Sequence, residues 1–96
     1  MKKGKNDLEL IRRAQKNAQE FGQLYLRYVK NIYSYFWRRV GKSRELAEEF
    51  AQETFLKAFQ SLPRFKKRFS SYLIYLYRIA HNLLVNYYRK KKTLSL

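Results

Sequence analysis

"SSYLIYLYRIAHNLLVNYYRKKK", residues 70–92, carries five tyrosines and five basic residues and no acidic one. Its apolar residues recur at three and four, not two, and this predicts a helix rather than a strand. On a wheel of about 100° per residue, Leu73, Leu76, Tyr77, Ala80, Leu83, Leu84 and Tyr87 fall on one side, a face for burial. Opposite them Tyr75, Arg78, Asn82, Asn86 and Arg89 gather in an arc of about 80°, with Tyr72 flanking it. The helix is predicted to start at Ser70 or Ser71 and to run into the lysines, where cations suit its C-terminal end. The tail "TLSL" is predicted to fray.

Upstream lies the loop "SLPRFKKRF", with four basic residues and the single proline, Pro63, which cannot continue a helix. A third helix is predicted over Arg44–Ser61, with Ser43 as N-cap and Glu45 favourable in its first turn. Leu46, Ala47, Phe50, Ala51, Thr54, Phe55, Ala58 and Phe59 form its inner half. Glu45, Glu49, Gln52, Glu53, Leu56 and Gln60 form the outer half. A second helix is predicted from near Ala18 to Val40, with Asn17 as N-cap and Gly41 as the C-terminal stop. Phe21, Leu24, Tyr25, Tyr28, Ile32, Tyr35 and Phe36 keep helical spacing along it. A short first helix is predicted over Asp7–Lys16, capped by Asn6 or Asp7. The fold class is therefore all-α, a compact bundle of about four helices with no sheet.

At 96 residues the chain is one domain, and 46% hydrophobic residues suffice for a single core. There is no cysteine, hence no disulfide framework or thiolate metal site. "MKKGKNDLELIRR" starts positively but lacks the apolar run of a signal peptide. No window approaches the roughly 20 apolar residues of a membrane span. The chain is expected to be soluble and cytoplasmic, without cofactor or metal. A lone His81, no P-loop, and Glu45–Glu49–Glu53 spacing without a Glu-x-x-His motif argue against an enzyme.

The charge is uneven. Lysine and arginine number 22 against 7 acids, a net charge of +15. Glu45, Glu48, Glu49 and Glu53 sit together, and no acid follows Glu53. A basic body attracts polyanions, and a separate acidic patch suggests a second partner. Lysine and arginine neutralise phosphates, tyrosine rings stack on unpaired bases, and asparagine hydrogen-bonds to base edges. The basic stripe could equally be an ordinary solvated helix face. The missing acids and the basic loop beside it favour nucleic acid, already opened. An acidic outer face with an exposed leucine suits protein docking, and it repels nucleic acid.

Three segments together resemble region 2 of the sigma-70 family of bacterial RNA polymerase sigma factors, nearest the extracytoplasmic-function group. "FGQLYLRYVKNIYSYFWRRVG" resembles the family's first long helix, "AEEFAQETFLKAF" its polymerase-binding helix, and "FSSYLIYLYRIAHNLLVNYYRKK" its promoter-melting helix. The likeness spans residues 17–92, flanked by an N-terminal helix (1–16) and a short tail (93–96). It implies that Glu49, Gln52 and Glu53, with Leu56 and Phe59 nearby, dock on the clamp coiled coil of the largest subunit of core RNA polymerase. It implies that Phe69, Ser70, Ser71, Tyr72, Tyr75, Arg78 and Asn82 hold the non-template strand of the promoter −10 element, with a base flipped out. Asn86, Arg89 and Lys90 would follow the upstream duplex edge. The basic loop residues Arg64, Lys66, Lys67 and Arg68 would add to the DNA surface, and an anti-sigma factor is a candidate further partner.

The chain departs from the family where Glu49 stands for a usual Asp, Tyr75 for a frequent Trp and Asn86 for a frequent Asp. Members of this group usually continue into a helix-turn-helix domain for the −35 element, so residues 1–96 are expected to be either one domain of a longer protein, the favoured reading, or a stand-alone reduced factor. Two other readings remain: a basic helical nucleic-acid-binding module independent of polymerase, and a membrane-surface protein. The first leaves the acidic helix unexplained. The second needs the Leu/Tyr face that the core requires.

Overall fold

A computed structural model describes residues 7–66 and 71–95, with side chains as far as Lys92. Four α-helices account for most of these residues: α1 (Asp7–Lys16), α2 (Phe21–Arg39), α3 (Arg44–Ser61) and α4 (Tyr72–Ser95), with 3₁₀ turns at Ala18–Glu20 and Leu62–Arg64. Among the described residues there is no strand, and the all-α expectation holds.

The helix ends follow local chemistry. The Ser43 side chain accepts from the Leu46 N–H at 3.2 Å, and Ser71 accepts from the Ile74 N–H at 3.2 Å. Each satisfies one of the donors that a helix start leaves open. Asn17 caps a 3₁₀ turn rather than α2 itself, so α2 begins at Phe21, three residues later than its spacing predicts. At the other end Gly41 takes φ 68° and the Lys42 N–H reaches back to the Trp37 carbonyl at 3.1 Å, a Schellman closure. The tail expected to fray continues α4 to Ser95, since Thr93–Ser95 contain no helix breaker.

Asp7 was a candidate cap for α1; Asn6, the other, lies outside the described residues. The Asp7 carboxylate turns instead towards α2, where it accepts from Arg27 Nη1 at 2.8 Å and from the Tyr28 hydroxyl. Burial, and next the bond and charge of Asp7, push the Tyr28 phenol up to about 12. α1 is thereby tied to α2 by a polar clasp as well as by Leu10, Ile11 and Ala14, all buried.

The core lies where α2, α3 and α4 meet. Leu24, Ile32 and Phe36 of α2, Ala47 and Ala58 of α3, and Leu76 and Ala80 of α4 are inaccessible to solvent. Alanines at the contact face of α3 leave room for the large rings of its neighbours. Phe36 stacks on Phe50 at 5.2 Å, and Phe50 meets Tyr87 edge-on at 5.1 Å, so one ring chain crosses from α2 through α3 to α4. Each fully buried Leu or Phe contributes about 1.5–3 kcal/mol. Thr54, buried among these apolar residues, donates its hydroxyl to the Phe50 carbonyl at 2.8 Å.

Candidate functional site

Packing Ala47, Ala51, Thr54, Phe55 and Ala58 inward turns the opposite side of α3 to solvent. Glu49, Gln52 and Glu53 are all exposed, and Leu56 is 54% accessible. Phe59, placed by its spacing on the inner half, is 39% accessible and meets Phe21 edge-on at 5.3 Å. The docking candidates therefore share one accessible face, negative and partly apolar.

Beside that face an open groove of about 820 Å³ runs between α2 and α3. Tyr25, Val29 and Tyr33 line its α2 side, and Arg44, Glu48 and Gln52 its α3 side. The sequence reading counted Tyr25 in the apolar spacing of α2 and passed over Val29 and Tyr33. The signal was their spacing: positions 25, 29 and 33 form a second i,i+4 stripe beside the buried one.

On α4, Arg78, Asn82, Asn86, Arg89 and Lys90 are all exposed, because Leu76, Ala80 and Leu84 are drawn inward on the other side. The aromatic start of the stripe differs from expectation. Tyr72 is 3% accessible, so its predicted place beside the stripe is corrected to the interior. Phe65, from the loop, folds over it at 5.3 Å and over Tyr75 at 4.8 Å. Tyr75 is half-buried, its hydroxyl 2.6 Å from Ser61 Oγ. Burial, then the neighbouring Tyr75 and Asp7, raise the Tyr72 phenol well above its ordinary range. Ser71, another candidate DNA contact, spends its side chain as the cap of α4.

The loop before α4 is held from below by α1. Gln15 Nε2 donates to the Leu62 carbonyl at 2.9 Å and to the Phe65 carbonyl at 3.2 Å. Arg64 and Lys66 project into solvent from this anchored stretch. Lys67, Arg68, Phe69 and Ser70 lie outside the described residues. Among the described residues no group of three or more His, Cys, Asp or Glu side chains could hold a metal ion, and no helix is long and apolar enough to cross a membrane.

The arrangement offers a negative, partly apolar surface on α3 and an uncharged-to-basic one on α4. Residues 24–93 match the family model described as Sigma-70 region 2. The chain is 34% identical over 86 residues to the ECF RNA polymerase sigma factor BldN of Streptomyces coelicolor, covering 88% of this chain and 32% of that protein. It is 37% identical over 75 residues to the RNA polymerase sigma factor YlaC of Bacillus subtilis, covering 78% and 42%. It is 36% identical over 85 residues to the ECF RNA polymerase sigma factor SigW of Bacillus subtilis, covering 85% and 43%. The chain thus spans about a third to two-fifths of the length of these curated relatives.

Proposed function

The chain belongs to the sigma-70 region 2 family, of the extracytoplasmic-function type, and from that premise we propose that it is a promoter-recognition module of transcription initiation rather than an enzyme. It docks on core RNA polymerase through α3 and holds the opened non-template strand of the −10 element on α4. One observation carries this reading: the acidic residues of α3 and the basic stripe of α4 are both solvent-accessible on helices locked into one core.

The docking face comprises Glu49, Gln52, Glu53, Leu56 and Phe59, and the α2–α3 groove beside it extends the same surface. A coiled-coil partner with basic edges would lay apolar side chains into the groove and meet the glutamates at its rim. DNA contacts fall to Arg78 and Asn82 for the strand, and to Asn86, Arg89 and Lys90 for the upstream duplex edge. Arg64 and Lys66 guard the entry. Melting follows from differential affinity, because a two-state opening equilibrium moves only by the difference in binding to its two states.

Tyr75 enters the reading in a narrower role. With its hydroxyl on Ser61 and its ring against Phe65, it offers an edge to a flipped base rather than an open face. A base would have to displace Phe65 to stack on it fully.

The test is a pull-down of core RNA polymerase by the chain, alongside binding of single-stranded −10 DNA. Reversing charge with Glu49→Lys and Glu53→Lys should abolish polymerase capture, while strand binding is kept or strengthened. Capture that survives both reversals would remove α3 as the docking face.

A further inference from the structure

A second basic feature is an open cleft of about 520 Å³ between α2 and α4, which shares Lys30 and Ser34 with the α2–α3 groove. Lys30, Asn31, Ser34, Arg38 and Arg39 line it from α2, and Tyr77 walls it from α4. No acidic residue is among the described residues that line it. With Tyr35, six α2 side chains line it; each carries a hydrogen-bond donor, and three carry a positive charge.

The cleft is preorganised. The Arg39 guanidinium sits 4.0 Å over the Tyr35 ring, and its Nη1 donates to the Tyr35 carbonyl at 2.9 Å. Tyr35 is held in turn, tilted against Tyr77 at 5.4 Å, with its hydroxyl 3.5 Å from His81 Nδ1. The Tyr88 hydroxyl donates to the Arg39 carbonyl. Stacking fixes the planar fork of Arg39 while leaving N–H groups for an acceptor, the geometry that suits a phosphate. An arginine ordered before binding loses less entropy when it binds.

We propose that the α2–α4 cleft is a second DNA site, which takes the phosphodiester backbone of a single strand on Lys30, Arg38 and Arg39. Its size and openness suit a nucleotide-long piece of chain. A duplex, a stiff convex cylinder, would ride over the rim and miss the floor. Tyr77 of α4 walls the cleft, and the next residue in sequence, Arg78, is exposed on the stripe. One strand crossing the start of α4 reaches both. This inference rests on the strand-binding reading above, and it adds a path by which the strand leaves α4.

The experiment titrates the full chain with a labelled single-stranded oligonucleotide, and with the same sequence as duplex, across a salt series. Lys30→Gln combined with Arg38→Gln tests the cleft; both residues are exposed, and circular dichroism confirms that the helices persist. Lys16→Gln with Lys57→Gln, also exposed, removes the same charge elsewhere. Two lost phosphate contacts should flatten the log–log salt slope for single strand by about 1.4, a weakening of about 25-fold at 0.1 M salt. The duplex should respond much less, and the control pair should leave both unchanged. A cleft variant with the wild-type slope overturns the proposal, as does an equal effect from the control pair or on duplex. In either case the α4 reading stands if Arg78→Gln with Arg89→Gln still weakens strand binding. A wild-type chain that fails to bind single strand removes both readings together.

Discussion

The Tyr72 hydroxyl is buried and has no hydrogen-bond partner among the described residues. Leaving such a group unsatisfied costs about 1–3 kcal/mol. Tyr72→Phe keeps the ring that packs on Phe65 and Tyr75 and removes only that cost. A urea melt should therefore show the variant more stable than the parent, by about 1 kcal/mol or more; a loss of stability would mean that the hydroxyl has a partner after all. The same residue shows where reading by period fails. A wheel gives an angle around α4 but says nothing of what covers that angle, and Phe65 arrives from a loop with no period. Arg78, Asn82, Asn86 and Arg89 were legible because only the helix's own geometry decides their exposure. Tyr72 and Tyr75 were not, since a tertiary contact decides theirs.

The helices were legible where end signals are chemical. Ser43 and Pro63 bracket α3, whose bounds agree with the sequence reading to the residue. Gly41 closes α2 because its φ of 68° is one that a residue without Cβ adopts freely. The start of α2 was less legible, for Asn17 signals a cap without revealing that the first turn is 3₁₀. The cap of α3 has a measurable weight. Ser43→Ala should lower stability by about 1 kcal/mol in a denaturant melt at unchanged m-value, and Ser43→Asp should restore it. An unshifted midpoint for the alanine variant would show that water serves the Leu46 N–H equally well. The two grooves, by contrast, belong to no single helix. Each is lined from two helices, and residue spacing along one helix carries no record of its neighbour.

For the whole molecule, the net charge of +15 acts on a body of 48 × 29 × 24 Å. The radius of gyration, 14.6 Å, exceeds the about 13 Å of a compact domain of this length. The excess fits a helix of 24 residues whose basic residues beyond Tyr88, at 89–92, are all exposed. Three described acids are already engaged: Asp7 with Arg27, Glu9 and Glu20 with Arg13. The other four lie on α3, and α4 contains none. Self-repulsion therefore opposes compaction. At 0.01 M salt the screening length is about 30 Å and at 0.1 M about 10 Å, so the first lets charges interact across the width of the bundle and the second confines them to neighbours. The attractive Asp7–Arg27 pair, at 2.8 Å and partly buried, is screened far less than the diffuse repulsion. Thermal unfolding should accordingly shift upward as salt rises between those limits. A relief of about 1 kcal/mol corresponds to roughly 4–8 °C in a domain of this size. A midpoint that falls with added salt would mean that favourable pairs, not repulsion, dominate the electrostatics of the free chain.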